Sequence, residues 1–328
     1  MKKKILLPAM MLAVAFASCN NDDDANFGDS RVALGVNVAL EEMGGSRAMV
    51  KGNYLAADSE IGVCVVDNAN GGDYDGHTTG YINVPYKATG TEDPQTDTKE
   101  QSWGASNVAN QILLSGTEGK AYAYYPYQSA TDFDYTAIDV DVTDQTDWMW
   151  SGPEGPLTDA ASSVGFTLKH AQTAVNVVVV RDESYTGNGE ISELTVTSDG
   201  LGSTGVLNAQ TGEFTGVAGQ GDAISIIDGA FTVTKDDNST IDVNEAQKEN
   251  PYMLIPASAE VKNFTITATV DTKPYNVGVT MTEAFTPGKV YKINVKITNV
   301  GLVIDSVVIV DEWQEDNTLP EGELKPQS

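Results

Sequence analysis

Basic residues are scarce in this chain of 328 residues: 19 Lys and Arg stand against 47 Asp and Glu, a formal net charge of −28 at pH 7. So acidic a surface repels phosphate backbones and anionic headgroups, which excludes nucleic acid as a partner and removes any electrostatic route to a membrane. Histidine is scarcer still, with His77 and His170 alone. Neither has a second His or a Cys at metal-ligand spacing, so no metal and no other cofactor is expected. Acidic loops at Asp67 to Asp75 and at Asp236-Asp237-Asn238 could offer oxygens to calcium, but neither has the EF-hand arrangement. No pair of carboxylates is singled out for hydrolysis, so the chain is not expected to be an enzyme. An apolar period of 3.6 residues is also missing beyond the N-terminus, which excludes a helical architecture.

What is present at the start is the layout of a removable secretion signal, expected over residues 1–18. Lys2, Lys3 and Lys4 lead into an apolar run from Ile5 to Phe16, and Ala17-Ser18-Cys19 closes it. The run is too short to span a bilayer. Small residues directly before Cys19 resemble the lipobox of bacterial lipoproteins, with Phe16 where Leu is usual. The resemblance implies that Cys19 is lipidated, carries palmitate-type acyl chains and becomes the mature N-terminus; the alternative is an ordinary secreted protein. Asn20-Asn21-Asp22-Asp23-Asp24 cannot pack and reads as a solvated tether, expected over residues 19–30. Acids in that place also resemble the surface-export signal of Bacteroidetes lipoproteins, which implies the outer membrane, facing out. Without the signal lysines the balance becomes 16 minus 47, or −31, so the membrane link must come from the acyl chains.

With Cys19 lipidated, Cys64 is the one thiol left and no intrachain disulfide can form. It lies in Ile61-Gly62-Val63-Cys64-Val65-Val66, where a small buried hydrophobe suits a strand better than a nucleophile does.

The body reads as strands almost throughout, and the expected fold class is all-β. From Val32 to Leu40, the residues Val32, Leu34, Val36, Val38 and Leu40 alternate with small or polar ones, a period of two that gives one buried face. Turn-rich joints such as Gly187-Asn188-Gly189 and Pro287-Gly288 punctuate further runs. Ser151-Gly152-Pro153-Glu154-Gly155-Pro156 is expected to break regular structure, placing a domain seam near 151 to 165. The division is then an N-terminal domain over 31–160, a C-terminal domain over 161–313 and a polar tail over 314–328. Tyr122, Tyr124, Tyr125 and Tyr127 suit a strand with one ring set buried and one at the rim, and Trp103, Trp148, Trp150 and Trp313 suit packing anchors. Asp139 and Asp141, opposite valines, suit a solvated strand face. His170 is expected to hydrogen-bond backbone at a domain corner.

Five segments follow one another in a telling order: Gly62-Val63-Cys64-Val65-Val66, then Lys120-Ala121-Tyr122-Ala123-Tyr124-Tyr125-Pro126-Tyr127, Phe166-Thr167-Leu168-Lys169-His170-Ala171, Tyr252-Met253-Leu254-Ile255-Pro256 and Phe285-Thr286-Pro287-Gly288-Lys289-Val290-Tyr291. With the N-terminal signal and a closing Asp311-Glu312-Trp313, this order resembles the fimbrillin-like lipoproteins of Bacteroidetes. The resemblance implies two transthyretin-like β-sandwich domains in tandem and a subunit of type V fimbriae that supports adhesion. It also implies a removable N-terminal strand, here Val32, Leu34, Val36, Val38 and Leu40, freed by cleavage after a basic residue and replaced by a strand from another subunit. Arg47, in Gly44-Gly45-Ser46-Arg47-Ala48 directly after that strand, is the expected processing site; Arg31 precedes the strand, so cutting there would leave it in place. Burying five aliphatic side chains at about 1.5–3 kcal/mol each gives an upper bound of roughly 7–15 kcal/mol, too much for spontaneous departure. The expected partners are other pilin subunits by donor-strand exchange, the outer membrane through the lipid anchor, and a host or bacterial surface ligand. The tail offers only Leu319 and Leu324 as apolar donor residues, so a stalk role requires Leu302 to Trp313 to be the donor; tip, anchor and stalk stay open. The alternative function is a monomeric surface lipoprotein that binds a glycan or host protein through its loops.

Overall fold

The computed structural model describes residues 31–41, 55–76, 81–89, 101–129, 133–227, 229–233 and 252–310, with residues 308–310 described by their backbone. Cys19 with its tether, Arg47, His77, Asp236 to Asn238, Trp313 and the tail lie outside the described residues. The all-β expectation holds, for helix among the described residues is limited to 3-10 turns of three residues each. None of these is long and apolar enough to cross a membrane.

In chain order the strands of the first half are β1 (Val32–Ala33), β2 (Gly35–Leu40), β3 (Glu60–Asp67), β4 (Val84–Thr89), β5 (Ser102–Ala105), β6 (Leu113–Leu114), β7 (Gly119–Tyr125), β8 (Ile138–Asp141), β9 (Met149–Leu157) and β10 (Ser163–His170). The second half adds β11 (Thr173–Arg181), β12 (Glu190–Thr197), β13 (Leu201–Gly202), β14 (Thr204–Asn208), β15 (Glu213–Ala218), β16 (Ala223–Ser225), β17 (Phe231–Thr232), β18 (Tyr252–Pro256), β19 (Asn263–Val270), β20 (Lys273–Thr280), β21 (Val290–Thr298) and β22 (Gly301–Val310).

Where a transthyretin-like β-sandwich was expected, the main sheet of the first half closes into a barrel in the order β10-β2-β5-β4-β3-β7-β9. Closure follows from β10, which pairs in parallel with β2 and antiparallel with β9. Inward-facing residues from alternate positions fill the interior, among them Val36 and Val38, Ile61 and Val63, Tyr86, and Phe166 and Leu168. Closing the sheet removes the unpaired edges that an open sheet would present.

The segment Ser151–Pro156, expected to interrupt regular structure, is instead the middle of β9. Its partners on β7 explain how Gly-Pro pairs fit a strand. Ser151, Glu154 and Leu157 pair with Ala123, Ala121 and Gly119, and each intervening Gly-Pro dipeptide falls where the register shifts. Proline cannot donate to a ladder, and a bulge is where a strand tolerates that loss. Consequently the barrel continues through β10 to His170, past the expected boundary at 160.

The second half builds two further sheets, β13-β18-β11-β21-β22 and β16-β12-β19-β20, with β17 alongside β12. Val175, Val177 and Val179 of β11 share one core with Leu194 and Val196 of β12, Ile266 and Ala268 of β19, and Ile293 and Val295 of β21. That core runs on into the first half through Cys64, Val66, Tyr122 and Tyr124. Here lies the correction to the tyrosine reading: Tyr122, Tyr124 and Tyr125 are all buried, at 6%, 0% and 8% exposure, because β7 has apolar packing on both faces. Gly62 permits this, since a Cβ there would stand 2.0 Å from the Tyr124 ring.

A third small sheet, β15-β14-β8, crosses between the halves. β8 alternates Val140 inward with Asp139 and Asp141 outward, as its sequence suggests, and pairs with β14 from Ile138↔Leu207 to Asp141↔Thr204. The β14–β15 turn also reaches β9. Gly212, at φ 72°, lies so close to Trp150 that a Cβ would meet its indole at 2.0 Å. Gln145 makes a similar link through its amide, accepting from Met253 N–H at 2.8 Å and donating to Met253 O at 3.2 Å.

Candidate functional site

The alternating strand that opens the described chain occupies a slot in the barrel wall. Leu34, Val36, Val38 and Leu40 are 5%, 5%, 9% and 6% exposed, while Val32 is 40% exposed. The buried face therefore begins at Leu34, two residues later than the period suggests. The reason is local: Val32 belongs to β1, which pairs only with β6 at Leu114, outside the barrel.

The two walls of the slot hold the strand unequally. On one side β2 pairs with β10 along its whole length, from Gly35↔Ser163 to Leu40↔Leu168. Gly35 N–H donates to Ser162 O at 2.8 Å and Glu41 N–H to Leu168 O at 2.8 Å, extending the ladder at both ends. On the other side the pairing with β5 comes down, among the described residues, to Val36↔Trp103. Sharing one core with the strand are Val164, Phe166 and Leu168 of β10, Trp103 of β5, Ile61, Val63 and Val65 of β3, and Val84, Tyr86 and Ala88 of β4. At its entry, Arg31 Nη2 stands 3.6 Å from Asp75 Oδ2.

The described part of the strand ends at Glu41, close to the last residues of β10. There His170 Nδ1 is 2.8 Å from Asp147 Oδ1, a side-chain partner where a backbone partner was expected. The sequence holds no signal for this pair, because Asp147 and His170 are brought together only by the pairing of β9 with β10. Trp148 N–H donates to Gln172 Oε1 at 3.1 Å, and Gly288 N–H to Gln172 O at 2.7 Å, fastening the same junction.

Other candidate groups resolve into packing. Cys64 is fully buried, and burial pushes its thiol up to about 12, so it holds no thiolate near neutral pH. Asp67 Oδ1 accepts the N–H groups of Ala69 and Asn70, which closes the turn after β3. Among the described residues no three His, Cys, Asp or Glu side chains converge on a point that could hold a metal. Trp103 and Trp148 are buried, and Trp150 is half-buried with Lys169 Nζ 5.5 Å from its ring. At the far end of the second half, Asp271 accepts Tyr185 O–H at 2.7 Å, Gly189 N–H at 3.0 Å and Glu190 N–H at 2.9 Å. Despite some desolvation, those donors hold its carboxyl down at about 2.

The family model described as fimbrillin-like matches residues 46–313. Two solved structures share the fold. One is a candidate cell adhesion protein from Bacteroides uniformis, 19% identical, with a TM-score of 0.59 over 87% of this chain and 99% of that one. The other, from Bacteroides ovatus and described in the same terms, gives the same values of 19%, 0.59, 87% and 99%. No curated protein matches the sequence.

Proposed function

The chain belongs to the fimbrillin-like family, and on that premise we propose that it is a fimbrial subunit which assembles by protease-triggered strand exchange and supports adhesion at the cell surface. The family is one of structural and adhesion proteins, not of enzymes. The observation that carries the proposal is the unequal seating of the Leu34–Leu40 segment: four buried aliphatic side chains, three of them in β2, and a full ladder from β2 to β10, but a single paired position on the β5 side among the described residues.

Four buried side chains at about 1.5–3 kcal/mol each give an upper bound of roughly 6–12 kcal/mol, before ordering entropy is subtracted. An intact strand does not leave on its own against such a cost. Cleavage after Arg47 alters the contest by removing the tether that keeps the effective concentration of β2 high, so a neighbour's strand competes for the slot. A vacated slot exposes the edges of β10 and β5, which favours immediate refilling. β22 is a donor candidate, because among the described residues it ends its sheet and pairs with β21 alone. Lipidation of Cys19, an outer-membrane address and a division into two transthyretin-like domains belong to the same proposal, with the domain boundary moved behind His170.

The test is electron microscopy of the purified mature protein before and after an arginine-specific protease. Fibres or ladders only after cutting support the proposal. A stable monomer that retains a sugar supports the surface binding module instead. Acyl labelling of a Cys19→Ala chain checks the anchor separately: normal labelling would remove it.

A further inference from the structure

The sequence holds three arginines, Arg31, Arg47 and Arg181, and the fold takes hold of the two that lie among the described residues. Arg181 ends β11, in register with Ile297 of β21, and the next N–H, that of Asp182, donates to Ile297 O at 2.9 Å. The peptide bond after Arg181 is therefore fixed in the ladder. Its side chain is held as well, by the loop that follows. The guanidinium donates from Nη2 to Tyr185 O at 3.2 Å and to Gly187 O, and from Nη1 to Asn188 O at 3.3 Å. The Tyr185 ring lies 5.5 Å from Cζ, and Nε is buried.

Asp271, in the turn between β19 and β20, fixes that loop by accepting from Tyr185 O–H, Gly189 N–H and Glu190 N–H. Two glycines permit so close a wrap. A Cβ on Gly187 would stand 2.2 Å from Asp271 Oδ2, and Gly189, at φ 79°, has Val233 O 2.7 Å from where its Cβ would be. Arg31 is held by its own neighbours. Val32, just past the bond that a protease would cut, pairs with Leu114, and Leu34 N–H donates to Ile112 O at 2.9 Å. Arg31 Nε is buried, and Asp75, 3.6 Å from Nη2, accepts from Thr117 Oγ1 at 3.3 Å.

An arginine-specific protease needs two things that these contacts deny it: a guanidinium free to enter an acidic pocket, and several residues of extended backbone free to pair with the enzyme. We propose that the fold closes the bonds after Arg31 and Arg181 to such a protease, with the Asp182–Gly189 loop and Asp271 as the guard of Arg181, so that the chain steers its own processing by what it withholds. The proposal rests on the reading of the subunit as one activated by cleavage after an arginine, and adds what keeps that cut from falling elsewhere. A cut after Arg181 would part β11 from β12 and split the core of the second half. A cut after Arg31 would detach everything before it while β2 stayed seated.

The experiment is a time course of the uncut full chain with an arginine-specific protease, each cut followed by mass spectrometry. The same chain unfolded in urea is the reference, with a short arginine peptide correcting for the effect of urea on the enzyme. Cutting after Arg31 and Arg181 should be at least about a hundredfold slower in the folded chain, because it tracks the locally opened population. Asp271→Ala should speed cutting after Arg181 by about 5–30-fold, and Tyr185→Phe, which deletes one hydroxyl, by less. Val38→Ala destabilises the barrel without touching this loop and should leave the Arg181 rate unchanged. No rise in Asp271→Ala, or an equal rise in Val38→Ala, would overturn the guard. Slow cutting at Arg31, Arg47 and Arg181 alike would retain the closed bonds and sink the processing reading; rapid cutting at all three would do the reverse.

Discussion

β2 and β22 are the first and last long strands described and both are rich in aliphatic residues, at alternate positions in β2 and in two runs in β22, yet they are seated differently. From Leu34, just before β2, to Leu40, every second residue is buried, and β2 itself lies between β10 and β5. In β22 Leu302 is 8% exposed but Val303 is 42% exposed, and Ile304 and Val307 are half-buried. Both are aliphatic; closure adds to the difference in their patterns. A strand in a closed barrel has a filled interior beneath it, whereas the last strand of an open sheet has one neighbour and a face shared with solvent. On the proposed assembly route, a strand seated like β2 requires a cut before it can leave, and one seated like β22 does not.

Breaking the barrel tests the first half of that comparison with the largest effect. A fragment covering residues 31–160 lacks β10, the partner of β2 along its whole length, and a fragment covering 161–328 lacks β8, the partner of β14. Neither is expected to melt cooperatively, while the whole chain melts in a single transition; circular dichroism of the two fragments checks this. A cooperative melt of either fragment would show that the cross-connections are dispensable.

Placing the same charge in both strands sharpens the contrast. Val36→Asp buries a carboxylate with no partner beneath β2 and should cost about 3 kcal/mol or more, read as a large fall in the denaturation midpoint. Asp271→Ala comes next in size. It deprives Tyr185 and two backbone N–H groups of their acceptor, a loss of about 1–2 kcal/mol given how open the site is to solvent. Because its folded value is about 2, below the ordinary 3.8, Asp271 stabilises fully above 3.8 and ceases to do so as pH falls through about 2. The acid limb of a pH–stability profile should therefore be shallower in Asp271→Ala. Val303→Asp, at an exposed position of β22, should stay within about 0.5 kcal/mol.

The legible part of this fold is the part written in period two. Val32 to Leu40, Ile61 to Val66, Phe264 to Val270 and Val290 to Ile297 are strands in the sequence and in the structure. What could not be read is pairing. Gly-Pro dipeptides in β9 look like a linker until β7 is seen to accommodate each one at a register shift. β4 carries Val84, Tyr86 and Ala88 inward, but Pro85 conceals it. The β14–β15 hairpin is short and Gly-rich, and its value lies in the partner it finds on β8 and Trp150. At the candidate site the alternating residues were legible and their limit was not, since Val32 looks like Val36 until β6 is known to take it. Nothing in the local sequence of Asp147 or His170 foretells their contact, which exists only through the alignment of two strands.

The central claim is that β2 is removed by cleavage after Arg47 before the subunit joins a fibre. Mass spectrometry of assembled material from the cell surface, taken from the parent chain and from Arg47→Ala, tests it most directly. The account predicts chains that begin at Ala48 in the parent fibres and no fibres from Arg47→Ala. Assembled chains that still begin at acylated Cys19, together with full assembly of Arg47→Ala, would contradict it.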